Sequence, residues 1–139
     1  MAGTATPIFP QTIRNWAQSI VNSDGQTVKT LVTGATNGTK VESIIVTSSD
    51  TTLRDLQLSV TISSVTYILA TIPIPISSGT IDSVASVDIL RSPYIPGLAF
   101  DPNGNRYIYV ASGSTLNVEA LTTVTTGKAI HIFGQGGDF

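Results

Sequence analysis

The sequence predicts an all-β protein, an antiparallel β-sandwich or jelly-roll-like barrel with an extended N-terminal arm. Three observations carry that prediction. Runs of β-branched and aromatic residues, each short enough for one strand, recur along the chain. Turn formers punctuate them: Asn37-Gly38 and Asn103-Gly104 supply the positive φ of tight turns, and Asp24-Gly25, Ser78-Gly79, Ser112-Gly113 and Thr126-Gly127 divide the rest. The length, 139 residues, suffices for one core and is too little for two.

Residues 1–11 form the arm, in which Pro7 and Pro10 flank Ile8 and Phe9. An Ile-Phe pair on a loose tail is an aggregation liability, so the arm is expected to dock, with Ile8, Phe9 and Trp16 as contacts. A single β-sandwich domain is expected over 12–139. Its first segment has two readings. Ile13, Trp16, Ala17, Ile20 and Val21 have helical spacing, with Thr12 as a cap. A strand over 12–21, a turn at Asn22-Ser23-Asp24-Gly25 and a strand over 27–33 make an ordinary hairpin, which we favour.

Residues 54–62 alternate cleanly and set Leu56, Leu58, Val60 and Ile62 on one face; residues 115–121 do the same with Leu116, Val118 and Ala120 inward. Residues 40–47, 65–74 and 106–111 are apolar without clean alternation, so both faces of each are expected to be covered, by a second sheet or by a neighbour. One short helical turn is expected over 83–90, and 128–133 form the last strand.

Only 12% of the residues are charged, about half the ~25% of a typical soluble domain, which suggests a surface largely covered by partners. There is no cysteine, which suits assembly in a reducing cytoplasm. The most apolar run, 67–76, contains Pro73 and Pro75 and is far shorter than the ~20 residues of a spanning helix, so no membrane is expected. The first residues lack the basic-then-apolar pattern of a signal peptide. Net charge is −2, and Arg14, Lys29, Lys40, Arg54, Arg91, Arg106 and Lys128 are dispersed, so nucleic acid is not an expected ligand.

Catalytic patterns are equally sparse. The one histidine, His131, lies between Ile130 and Ile132, without the nucleophile and orienting acid that a general base needs. One histidine and no cysteine make no zinc site of the usual type. Asp50 and Asp55 flank a turn, and Asp101-Pro102-Asn103-Gly104-Asn105 reads as a hairpin turn in which Asp101 accepts backbone hydrogen bonds. Glu42 and Glu119 are a glycosidase pair only if they meet across a cleft. Gly134-Gln135-Gly136-Gly137 precedes no helix and so is no phosphate cradle. It leads to Phe139, an available anchor. No catalytic residue, metal or cofactor is expected. Tyr67, Tyr94, Tyr107, Tyr109 and Trp16 suit a sugar-binding face or a subunit interface; Tyr107, Tyr109 and Phe139 are the expected interface anchors.

The order of pieces resembles the small all-β virion proteins of tailed bacteriophages, of the capsid decoration or cement type. Asn22 to Gly25 leads into Lys29-Thr30-Leu31-Val32-Thr33, and Thr36-Asn37-Gly38-Thr39-Lys40-Val41 precedes Thr47-Ser48-Ser49-Asp50-Thr51-Thr52. Ile72-Pro73 and Val87-Asp88-Ile89-Leu90 lead to Leu98-Ala99-Phe100-Asp101 and Asn103-Gly104-Asn105-Arg106-Tyr107. Ser114-Thr115-Leu116 and Phe133-Gly134 through Gly137-Asp138-Phe139 complete it, over about residues 20–139. The resemblance implies a jelly-roll-like module, often a homotrimer, that sits on the major capsid protein lattice and stiffens it. It implies no catalytic residues. The expected place is the capsid surface of a virion, assembled in the host cytoplasm. Rival readings are a tail- or fibre-associated structural or carbohydrate-binding (receptor-binding) module and a small hydrolase.

Overall fold

The computed structural model describes residues 9–139, so Ile8 lies outside it. Among the described residues ten strands are formed: β1 (Thr12–Val21), β2 (Lys29–Thr33), β3 (Thr39–Ser48), β4 (Arg54–Ile62), β5 (Val65–Ile74), β6 (Val87–Asp88), β7 (Ala99–Phe100), β8 (Arg106–Val110), β9 (Thr115–Ala120) and β10 (Ala129–Asp138). One sheet has the order β1-β10-β3-β8-β7, with β6 paired to the far half of β3; the other has the order β2-β9-β4-β5. All pairings are antiparallel. The two sheets form the β-sandwich that the alternation predicts. Ile20, Ile44, Val46, Ile130 and Ile132 of the larger sheet join Val32, Leu56, Leu58, Ile72, Leu116 and Val118 of the smaller in one buried cluster. Each such side chain contributes on the order of 2 kcal/mol when fully buried.

The expected hairpin over 12–33 is corrected. Both strands exist, but β1 pairs along its whole length with β10, and β2 pairs with β9 in the opposite sheet. Each strand has one apolar face to bury, and stacking across the core buries both faces where side-by-side pairing would not. The crossing is held by the 3-10 turn Asn22–Asp24, where the Asp24 carboxylate accepts the Val21 N–H at 2.8 Å and lies 2.9 Å from Lys29 Nζ. Among the described residues, strands adjacent in sequence pair only at β4–β5 and β7–β8. The helical turn expected over 83–90 is also corrected. That segment is extended at β6, and the Ile89 N–H donates to the Ile44 carbonyl at 3.0 Å. This route buries both Ile89 and Leu90, neighbours that a single exposed helical turn would not bury together.

Two of the three β-bulges among the described residues shape the surface. Ser43 pairs with Gln135 while Val41 pairs with Gly136, so Glu42 is the extra residue of β3. There the backbones approach so closely that a Cβ on Gly136 would stand 2.0 Å from the Lys40 carbonyl oxygen. Gly136→Ala is therefore expected to push β10 off β3 and cost more than about 2 kcal/mol, or roughly 6 °C in melting temperature, by circular dichroism. An unchanged melt would show that the strands can separate there freely. The second bulge leaves Leu69 unpaired in β5, because Leu58 faces Ala70 while Ser59 faces Ile68. Pro73 is tolerated in β5 because that strand is a sheet edge.

A buried carboxylate ties two loops to the sandwich. Asp50 is solvent-inaccessible and accepts the Arg54 Nε–H at 2.8 Å, the Thr125 hydroxyl at 2.7 Å, and the Thr125 and Thr52 N–H groups, both at 3.0 Å. Burial alone would raise the Asp50 carboxyl, but these donors hold it well below the usual carboxylate range. Arg54 in turn reaches the hydroxyls of Thr122 and Thr125, each at 3.0 Å. Asp50 is thus a structural anchor whose acceptor capacity is taken up within the fold.

Candidate interaction surfaces

The outer face of the larger sheet carries a cleft of about 460 Å³ that gathers residues from β1, β3, β8 and β10 and from the 88–105 connection. Four of the seven cations line it: Arg14, Lys40, Arg91 and Arg106. The sequence shows them as dispersed; folding brings the four positions to the cleft, while the Arg14 side chain, on the Trp16 side of β1, turns to Asp138 and lines a second hollow with Trp16 and Leu31. Arg14 Nε donates to Asp138 at 2.5 Å; the other Asp138 oxygen takes the Thr39 hydroxyl at 2.7 Å, and Thr39 itself accepts the Ala35 N–H. Burial would raise the Asp138 carboxyl, but Thr39 and Arg14 lower it. Arg91 donates to Asn105 and lies 3.6 Å from Asp88. Arg106 donates to the Ile95 carbonyl at 2.8 Å and rests 4.8 Å above the Phe100 ring. Lys40 Nζ lies 4.7 Å over the Tyr107 ring and 3.6 Å from the bulge residue Glu42.

Beside the cleft is an aromatic patch. Tyr107 and Tyr109 meet edge-on with ring centroids 4.9 Å apart, and Phe139 lies 5.9 Å from Tyr109. The structure therefore places the three expected anchors side by side; Tyr109 and Phe139 line a hollow with Gln11, Thr12 and Asn37, while Tyr107 lines the cleft. The register places Ile13, Gly137, Lys40 and Tyr109 in one row across β1, β10, β3 and β8. Ile13 is 88% exposed and Phe9 69%. Trp16 packs differently: half-buried against the core, over Gly134, where a Cβ would stand 3.3 Å from its ring.

The third surface is the far end of the β4–β5 hairpin. Leu56 and Leu58 are buried as alternation predicts, but Val60 is only half-buried and Ile62 is exposed, because the hairpin overhangs the sandwich. The turn residues Ser63 and Ser64 both have positive φ, as a two-residue hairpin requires. Every residue from 65 to 69 is exposed, including Val65, Tyr67, Ile68 and Leu69. No charged residue occurs between Asp55 and Asp82.

The remaining chemical candidates are separated. Glu42 is on the larger sheet and Glu119 on the smaller, where it pairs with Gln57, so they do not face one another across a cleft. His131 is exposed between Ser19 and Thr47 of the neighbouring strands. Asp101 accepts the N–H groups of Asn103 and Asn105, both at 2.9 Å, as the hairpin reading predicts. Among the described residues no group of three or more His, Cys, Asp or Glu is placed to hold a metal ion. No protein-family model, curated protein or solved structure matches this chain.

Proposed function

We propose that the chain is a non-catalytic structural subunit that works by docking, and that it serves as a decoration protein on the major capsid protein lattice of a phage virion. The overhanging β4–β5 hairpin carries the docking part of this reading. Ile62, Val65, Tyr67, Ile68 and Leu69 are all exposed, the first three on one face of the hairpin, and exposed apolar clusters of this kind on a monomer are often functional. A free, uncharged edge strand such as β5 also offers unpaired backbone groups, and proteins normally blunt such edges with charge. The hairpin is uncharged from Leu56 to its end and so its overhang has no electrostatic bar to meeting its own copies; we assign it to self-association, as a homotrimer. The charged outer face of the larger sheet is left for the capsid protein. The capsid itself is supported by the resemblance of residues 20–139 in the order of their turn and packing residues.

The test is the mass of the purified protein in solution, followed by co-sedimentation with empty capsid shells. A trimer that sediments with shells in a fixed ratio is expected. A monomer that ignores shells overturns the reading. A second reading, a carbohydrate-binding module of a tail or fibre, draws on the Tyr107–Tyr109 pair beside a polar cleft. It predicts affinity for glycans in place of shells.

A further inference from the structure

We propose that residues 1–8 seat on the outer face of their own larger sheet, with the Ile8 side chain in the hollow between Tyr109 and Phe139. The inference goes beyond the docking reading and does not depend on it. Its first support is the place where the described chain ends. Gln11 still belongs to the sheet, its N–H bonded to the Asp138 carbonyl at 2.7 Å. Pro10 then lies over Gly137, beside Ile13 and Glu42 on the outer face. A Cβ on Gly137 would stand 2.8 Å from the Pro10 Cβ, so this glycine is what lets the chain cross β10. The chain has therefore turned onto the outer face before it reaches Phe9.

Reach is the second support. Gly137 pairs with Lys40 and Lys40 with Tyr109, so Tyr109 is two strand spacings, about 10 Å, from the point where Pro10 crosses. The two residues from Pro10 back to Ile8 span about 7 Å, and the isoleucine side chain covers the rest. Gln11 and Thr12 line the same hollow, so its near wall stands next to the start of the arm.

The third support is chemical. Phe9, Ile13 and Tyr109 leave apolar surface uncovered on this face, and Ile8 is an apolar side chain within reach of it. Residues 1–11 carry no charged side chain. The cleft beside the hollow is electrically balanced, with Lys40, Arg91 and Arg106 set against Glu42, Asp88 and Asp101. Among the described residues, Arg106 donates only through Nη1 and the Asp101 carboxylate accepts only through Oδ1, so donors and acceptors both remain. A balanced cleft of this kind suits an uncharged segment, whose backbone brings both N–H and C=O groups. A partner docking on this face then meets the arm as well as the sheet.

The chain has no cysteine, so Ala5→Cys accepts a single nitroxide on the full chain. Nuclear magnetic resonance then reads which backbone amides the nitroxide broadens. Lys40, Tyr109 and Phe139 are expected to lose most of their intensity, and Ser49 and Gly127, at the opposite end of the sandwich, to keep theirs. Even broadening over the whole surface, or broadening of Val65 to Ile68 in place of Tyr109, overturns the seat. A second sample mixes nitrogen-15-labelled chain lacking the nitroxide with unlabelled chain that carries it. Broadening of the same amides there assigns the seat to the arm of a second copy and overturns the proposal. Ile8→Ser is expected to lower the ratio of seated to unseated arm roughly tenfold, the effect of one buried isoleucine side chain. Tyr109→Ala, at a position 58% exposed, is expected to release the arm likewise while circular dichroism shows the sandwich intact. Undiminished broadening in either variant overturns the apolar seat. No shells enter this experiment, so failure of the chain to bind shells overturns docking alone, and the nitroxide still judges the seat.

Discussion

Replacing Ile62 and Tyr67 together by aspartate is expected to convert the proposed trimer to monomers while leaving the chain folded. Both side chains are about half exposed, 46% and 52%, on the overhang of the β4–β5 hairpin. Their loss therefore takes little from the core, and surface substitutions of this kind usually change stability by no more than about 0.5 kcal/mol each. In an apolar subunit interface the same changes bury carboxylates without partners, at several kcal/mol per copy. The dissociation constant is expected to rise by at least roughly a thousandfold, since each ~1.4 kcal/mol is a factor of ten. Sedimentation velocity reads the mass, and circular dichroism confirms the β-sandwich. An assembled variant of unchanged mass would remove the hairpin from the interface. A wild-type chain that is monomeric at every concentration would remove self-association altogether.

The largest stability effect is expected at Asp50. In Asp50→Ala the Arg54 guanidinium, the Thr125 hydroxyl and the N–H groups of Thr52 and Thr125 all lose their acceptor. Breaking a buried ion pair by removing one partner costs about 3–5 kcal/mol, which for a domain of this size lowers the melting temperature by roughly 10–20 °C. Asp50→Asn keeps the shape and part of the acceptor capacity, so it is expected to fall between the two. A melt of Asp50→Ala within about 3 °C of wild type would mean that water replaces the carboxylate without loss. The pH dependence has a definite sign. The folded carboxyl titrates well below its unfolded value of about 3.9, so its stabilisation is complete above that value and declines as the pH falls below it. Wild type should therefore lose more stability than Asp50→Asn between pH ~5 and ~2.5. Equal losses would show that other carboxylates, such as Asp138, carry the acid sensitivity.

Much of the sandwich was legible locally. Alternation in 54–62 and 115–121 marked Leu56, Leu58, Leu116, Val118 and Ala120 as core, and all five are buried. Asn103-Gly104 marked the β7–β8 turn, with Asp101 accepting its N–H groups as expected. These features depend on side-chain period and on single-residue φ preferences, which act within a few residues of chain. Tyr107 and Tyr109 were paired by the same rule, two residues apart on one strand.

Long-range assembly was not legible, because it depends on which surface each strand finds. Nothing local to 12–33 says that β1 prefers β10, more than a hundred residues away, over β2 beside it; the need to bury both apolar faces decides it. The overhang of Ile62 follows from how far the opposite sheet extends, whereas the period in β4 runs on unbroken. The polar cleft of the larger sheet is of the same kind: Arg14, Lys40, Arg91 and Arg106 come from separate segments and look dispersed along the chain. Sequence pattern settles which way each residue points on its own strand. The pairing of distant strands, with the bulge at Glu42 made possible by Gly136, settles which residues become neighbours.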